Sequence, residues 1–180
     1  YNEPHDVSWD IWLQGGTVTD RPNRRGATPK TYQAVGMQTL LDAVRATGAR
    51  NVVVAGGLNW AYDFDGILEG RRLKDPDGNG VIYANHVYNN KGHGIEVWIT
   101  RMEQATAKLP VIVSEFGGSG GPHRRAGRFA GPVDPSGDDW LLHVIQVIQD
   151  HNWSWTAWDF HPQAAPCLIS DWDYTPTPDF

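Results

Sequence analysis

The sequence has one cysteine, Cys167, so no disulfide can form within the chain. It has no apolar run approaching the roughly 20 residues of a membrane-spanning helix, so no membrane partner is expected. Basic residues are outnumbered: 15 Lys and Arg stand against 21 Asp and Glu, a net charge of −6. No basic cluster interrupts that balance, which removes the electrostatic footprint of a nucleic-acid binder. The nucleotide-binding patterns G-x-G-x-x-G and G-x-x-x-x-G-K-[ST] are both missing. His5, His93, His123, His143, His151 and His161 show no H-E-x-x-H or comparable spacing, so no zinc site is expected. Asp75, Asp77, Asn79 and Gly80 imitate the start of a calcium loop. Its twelfth position is His86 rather than the required Glu, and 75–80 reads as a turn.

Tryptophan is abundant, with nine in 180 residues. An indole fills a core, and it also presents a flat apolar face with one donor. Sugar rings have apolar C–H faces edged with hydroxyls and suit such a surface. For Trp9, Trp12, Trp60 and Trp172, packing and sugar stacking compete on equal terms. At 180 residues the chain is long enough for one domain with a core of its own.

Apolar β-type runs alternate with amphipathic stretches. Residues 51–57, 81–88, 110–115 and 153–160 read as strands. Thr28 and Pro29 read as the start of a helix carrying Tyr32, Val35, Gly36, Leu40 and Val44, stopped by Gly48. Ile95, Trp98, Ile99, Met102 and Leu109 make a second apolar face. Ser136 would cap a third helix, with Leu141, Val144, Ile145 and Ile148 on one side. A short helix fits near 65–69, and 117–128 reads as a loop beside the cleft. Such alternation predicts parallel βα units, in an open sheet or a (β/α)8 barrel.

The chemically notable residues fall at strand ends. Asn2 and Glu3 precede the first helix, Trp60 and Asp63 follow the next strand, and His86 and Tyr88 end another. Glu115 ends the fourth, and Trp158 lies near the end of the fifth. In parallel βα folds the strand C-termini share one face, where active sites form. Two carboxylates facing each other there are what retaining glycoside hydrolysis needs.

Tyr1-Asn2-Glu3-Pro4-His5, Gly56-Gly57-Leu58-Asn59-Trp60, His86-Val87-Tyr88, Ser114-Glu115-Phe116-Gly117 and Trp155-Thr156-Ala157-Trp158 occur in one order. In that order they resemble glycoside hydrolase family 5, the cellulase-type (β/α)8 retaining hydrolases of the Asn-Glu-Pro clan. The resemblance runs over nearly the whole chain. It implies that Glu3 is the general acid/base and Glu115 the nucleophile. Asn2 would bond the sugar 2-hydroxyl, and Tyr88 would donate to Glu115 and keep it ionised and oriented. His86 would line the site near Glu3, and Trp158 would floor the subsite where the attacked sugar distorts. Trp60, His5 and His161 could touch substrate.

A (β/α)8 barrel takes about 250 residues. The strands here account for about strands 4–8, and the Arg and His that the family carries on earlier strands have no counterpart. The chain is therefore expected to be the C-terminal portion of a parallel (β/α)8 TIM barrel, one partial catalytic domain over residues 1–180. Its first and last strands would be apolar open edges, inviting self-association or pairing with the absent N-terminal half. The expected activity is that of an endo-acting retaining β-glycosidase on β-1,4-glucan, secreted, with no cofactor and no metal. A β-mannanase on the same frame and an inert carbohydrate-binding half-barrel are the alternatives. The partner is a β-linked polysaccharide or oligosaccharide in each case.

Overall fold

A computed structural model describes residues 2–20, 28–89, 91, 94–118 and 137–177. The expected cap at Ser136 and most of the loop 117–128 lie outside those residues. The chain divides into two compact units, Tyr1–Ala84 with Lys108–Pro110, and Asn85–Ala107 with Val111–Phe180.

The first unit opens with the strand-end segment that holds Glu3. Helix α1 (Trp9–Gln14) follows, with the Ser8 hydroxyl accepting from the Ile11 N–H at 3.3 Å. Strands β1 (Gly15–Asp20) and β2 (Lys30–Val35) then form an antiparallel hairpin paired from Gly15↔Val35 to Asp20↔Lys30. Helix α2 covers only Met37–Ala46.

The helix expected from Thr28 is thus a strand over its first third. The run Lys30–Val35 carries Thr31, Tyr32 and Val35, which favour extended backbone. Its partner supplies Thr17, Val18 and Thr19. Cross-strand bonds join Gln33 Nε2 to Thr17 Oγ1 at 2.7 Å and the hydroxyls of Thr19 and Thr31 at 3.1 Å. Neither α1 nor β1 is legible as a periodic run. Gly36, read as part of a helical face, is instead a close approach: a Cβ there would strike the backbone of Gln14 and Gly15.

Strand β3 (Val53–Gly56) pairs in parallel with the first half of β4 (Val81–Tyr88), Val53↔Val81 to Gly56↔Ala84. The connection contains the single turn α3 (Leu58–Ala61) and the short helix α4 (Asp65–Leu68), which buries Ile67. Residues 75–80 form the expected turn. Arg45 grips Asp75 with both ends of its fork, Nε at 2.7 Å and Nη2 at 2.9 Å, and the Gly80 N–H donates to the same carboxylate at 2.9 Å.

In the second unit the later half of β4 neighbours β5 (Val111–Gly117), which pairs in parallel with β6 (Ser154–Trp155). Helices α5 (Ile95–Thr106) and α6 (Gly137–Asp150) supply Trp98, Met102, Val144 and Ile148 to a core around Val113 and Phe116. The last strand is much shorter than the run 153–160. Its pairing continues irregularly, through Thr156 N–H to Val113 O at 2.9 Å and Trp158 N–H to Phe116 O at 3.0 Å. Strand β3 in the first unit and β6 in the second each carry an exposed apolar side chain: Val54 is 53% exposed and Trp155 47%.

Candidate active site

In the second unit the C-terminal ends of β4 and β5 bring three of the expected residues together. The Tyr88 hydroxyl donates to Glu115 Oε2 at 3.0 Å, and His86 Nδ1 lies 3.3 Å from the same oxygen. His86 is buried and the Glu115 side chain is 12% exposed. Strand alternation explains the arrangement, because His86 and Tyr88 are two apart and lie on one face of β4. Asn85, preceding His86 in the strand, is fully buried and accepts from Trp98 Nε1 at 2.7 Å. That bond ties the strand to α5 immediately before the site. A carboxylate oxygen met from two side chains of one strand has its orientation set by that strand.

Trp158 lies at the end of the irregular extension of β6. Its indole N–H donates to Ala164 O at 3.1 Å, which fixes the ring edge. Gly117, two residues beyond Glu115, is needed here. A Cβ on it would sit 2.5 Å from Pro166 Cγ, so a larger residue would push the segment after Trp158 away from β5.

Asp159, next to Trp158, is a half-buried carboxylate that the sequence reading did not single out. Its Oδ1 is buried without a hydrogen-bond partner. Burial pushes its carboxyl above the ordinary range, the charge of Glu115 pushes the same way, and His161 opposes them.

In the first unit Asn2 and Glu3 run beside the end of β3. A Cβ on Gly56 would come within 2.7 Å of the Asn2 carbonyl oxygen, so this glycine permits the close approach. Glu3 is half-buried and Asn2 exposed. The Trp60 N–H donates to Pro4 O at 3.1 Å. The His5 imidazole stacks on the Trp60 indole with centroids 4.4 Å apart and planes at 12°. Trp60 follows β3 in a left-handed turn: Asn59, Trp60 and Ala61 have φ of 55°, 56° and 59°. Three consecutive residues in that region are costly without glycine. Such strain is characteristic of places where a side chain must be aimed. The Asp63 carboxylate accepts from the Asp65 N–H at 2.8 Å.

The other tryptophans of uncertain role now separate. Trp12 is buried and donates to Gly56 O at 2.9 Å, and Trp9 packs edge-on against it and over Gly66. Both serve packing, whereas Trp172 is 60% exposed.

These features define a class: a parallel βα protein whose acid, histidine and tyrosine cluster at strand C-termini. The chain belongs to the cellulase family, glycosyl hydrolase family 5, whose model matches residues 1–164. Its fold is a portion of a (β/α)8 barrel, shared with solved structures. It is similar to a β-glucanase from Saccharophagus degradans, at 26% identity and a TM-score of 0.62, over 78% of this chain and 42% of that one. It resembles the endoglucanase Cel5A from Thermotoga maritima at 17% identity and TM-score 0.54, over 99% of this chain and 55% of that one. A β-mannanase from Streptomyces thermolilacinus with mannohexaose matches at 20% identity and TM-score 0.53, over 77% and 44%. The chain therefore spans about half or less of the length of each. No curated protein matches it.

Proposed function

We propose that this chain provides the catalytic carboxylates of a retaining glycosidase that cleaves β-1,4-linked glucan. The observation that carries the reading is Glu115 at the end of β5, with the Tyr88 hydroxyl and His86 Nδ1 on one carboxylate oxygen. In the first displacement Glu115 attacks the anomeric carbon and the glycosidic C–O bond breaks. Glu3 gives its proton to the leaving oxygen, and a glycosyl ester remains on Glu115. In the second, the Glu3 carboxylate takes a proton from water, the water oxygen bonds to the anomeric carbon, and Glu115 leaves as carboxylate. Such a pair works at about 5–5.5 Å separation. Asn2 bonds the 2-hydroxyl, and Trp60 and Trp158 contact the sugar faces. The products keep the β configuration.

Glucan is favoured over mannan because the S. degradans β-glucanase, also solved in complex with cellotetraose, is the relative at 25–26% identity. The test is hydrolysis of an aryl β-cellobioside and its manno counterpart by the chain as given and by Glu115→Ala. Added azide should rescue Glu115→Ala with formation of the α-glycosyl azide, since one inversion replaces two. Glu3→Ala with azide should instead give the β-azide. Inverted product from the unsubstituted chain would sink the retaining reading. Sugar binding without turnover would favour the inert carbohydrate-binding half-barrel.

A further inference from the structure

We propose that the hairpin 167–177 carries a second carbohydrate-binding surface, made of Trp172 and Tyr174 and extended by Phe160, that takes a β-linked glycan chain. Three large aromatics are turned to solvent within fifteen residues: Phe160 is 64% exposed, Trp172 60% and Tyr174 62%. They form ordered pairs rather than loose side chains. Phe160 and Tyr174 stack with centroids 5.6 Å apart and planes at 14°, and His161 meets Trp172 edge to face at 4.8 Å. Aromatic rings held in ordered pairs offer apolar contact area at low entropic cost, and their solvent-facing sides suit the C–H faces of sugars.

The hairpin beneath is built to hold this surface. Ile169 is buried and bridges to Pro176, while the Ser170 N–H donates to Thr175 O at 2.8 Å and the Thr177 N–H to Leu168 O at 2.9 Å. Asp171 Oδ1 accepts from the Asp173 N–H at 3.0 Å and the Thr175 N–H at 3.2 Å, closing the turn. Tyr174 has φ of 64°, an uncommon conformation for an aromatic residue. The turn is thus strained at the residue whose ring it exposes. The Leu168 N–H donates to Asp159 O at 3.0 Å, which ties the hairpin to the segment beside Trp158.

The inference rests on the glycosidase reading only for the choice of ligand. The test is electrophoresis of the full chain through native gels containing hydroxyethylcellulose. Trp172→Ala and Tyr174→Ala should each weaken retardation about tenfold. Trp172→Phe, which keeps a flat ring, should retain most of it. Leu142→Ala, an exposed apolar change on α6, should leave it intact, and circular dichroism should show all variants folded. Equal retardation of Trp172→Ala and the parent chain would overturn the proposal. So would loss of dimer by Trp172→Ala in sedimentation with unchanged retardation, which makes the patch a protein interface. Retardation lost in Trp172→Ala stands even if aryl cellobioside is not hydrolysed, so failure of the catalytic reading is told apart from failure of this one.

Discussion

The Tyr88 hydroxyl donates to Glu115 Oε2 at 3.0 Å, the oxygen that His86 Nδ1 also approaches. Two groups on adjacent positions of one strand face thereby set the direction of a single carboxylate. Tyr88→Phe removes one of them and keeps the ring. A hydrogen bond to a charged group is worth about 1.5–3 kcal/mol, so kcat on an aryl cellobioside should fall by about 10- to 100-fold. The melting temperature should change little. Unaltered kcat would mean that Tyr88 does not position Glu115 for reaction.

The Arg45–Asp75 pair should make folding acid-sensitive. The two side chains are 9% and 4% exposed. The Arg45 guanidinium holds the Asp75 carboxyl below its ordinary value of 3.8, and the Gly80 N–H adds to this. A depressed carboxyl contributes stability that is fully present above its unfolded value and is lost as pH falls through the folded one. Asp75→Asn should therefore lower the melting temperature at neutral pH and flatten its fall below about pH 4. A variant with the parent's full acid sensitivity would rule this pair out as a cause.

His151 should act in the opposite sense. Its ring stacks on Trp153 at 4.4 Å, Nδ1 meets Val147 O at 2.9 Å, and Nε2 meets Glu103 Oε1 at 3.1 Å. The Val147 carbonyl, followed by Glu103, raises its proton affinity above the ordinary 6.5. The protonated form is favoured in the folded chain. That contribution is complete below pH 6.5 and disappears as pH rises through the higher folded value. Both groups are partly exposed, so the effect is small and salt-sensitive. His151→Gln should lower the melting temperature at acidic pH and leave it nearly unchanged at alkaline pH.

Strand β4 and the helices α5 and α6 were legible because each is a long apolar pattern that secondary structure alone accounts for. Val81–Ala84 opens β4 as a run without charge or turn residues, and Trp98 and Met102 mark one face of α5. The hairpin was not legible. Tyr32, Val35 and Leu40 imitate a helical period, while the feature that decides the structure is a partner strand starting at Gly15. Exposure belongs to tertiary structure, so no local pattern could separate Trp12 from Trp172. Glu115 was found because it is a carboxylate ending an apolar strand. Asp159 was not found because the run 153–160 read as one strand, whereas pairing as a regular strand covers only Ser154–Trp155.

The exposed edge of β3 should govern self-association. Val54 is 53% exposed and Val52 42%, beside an apolar groove of about 320 Å³ lined by Met37, Leu40, Leu41 and Val44. An open apolar edge of this kind is a template for pairing. Val54→Lys should shift the sedimentation of concentrated chain toward monomer. The fold should survive, because the side chain is already half in solvent. Equal association of variant and parent would place the contact elsewhere.

The left-handed turn after β3 gives the final prediction, because it links a backbone cost to the placing of one ring. Asn59, Trp60 and Ala61 all have positive φ, and Asn59 is exposed. Asparagine tolerates this region better than most residues, glycine better still, and a β-branched residue worst. Asn59→Gly should leave stability equal or slightly higher. Asn59→Val should cost about 1–2 kcal/mol, read as a lower urea midpoint. If the turn serves to aim Trp60, Asn59→Val should also raise KM for a cello-oligosaccharide, because the ring is displaced from its stack on His5. A loss of stability with unchanged KM would show that the turn supports the fold and not the sugar contact.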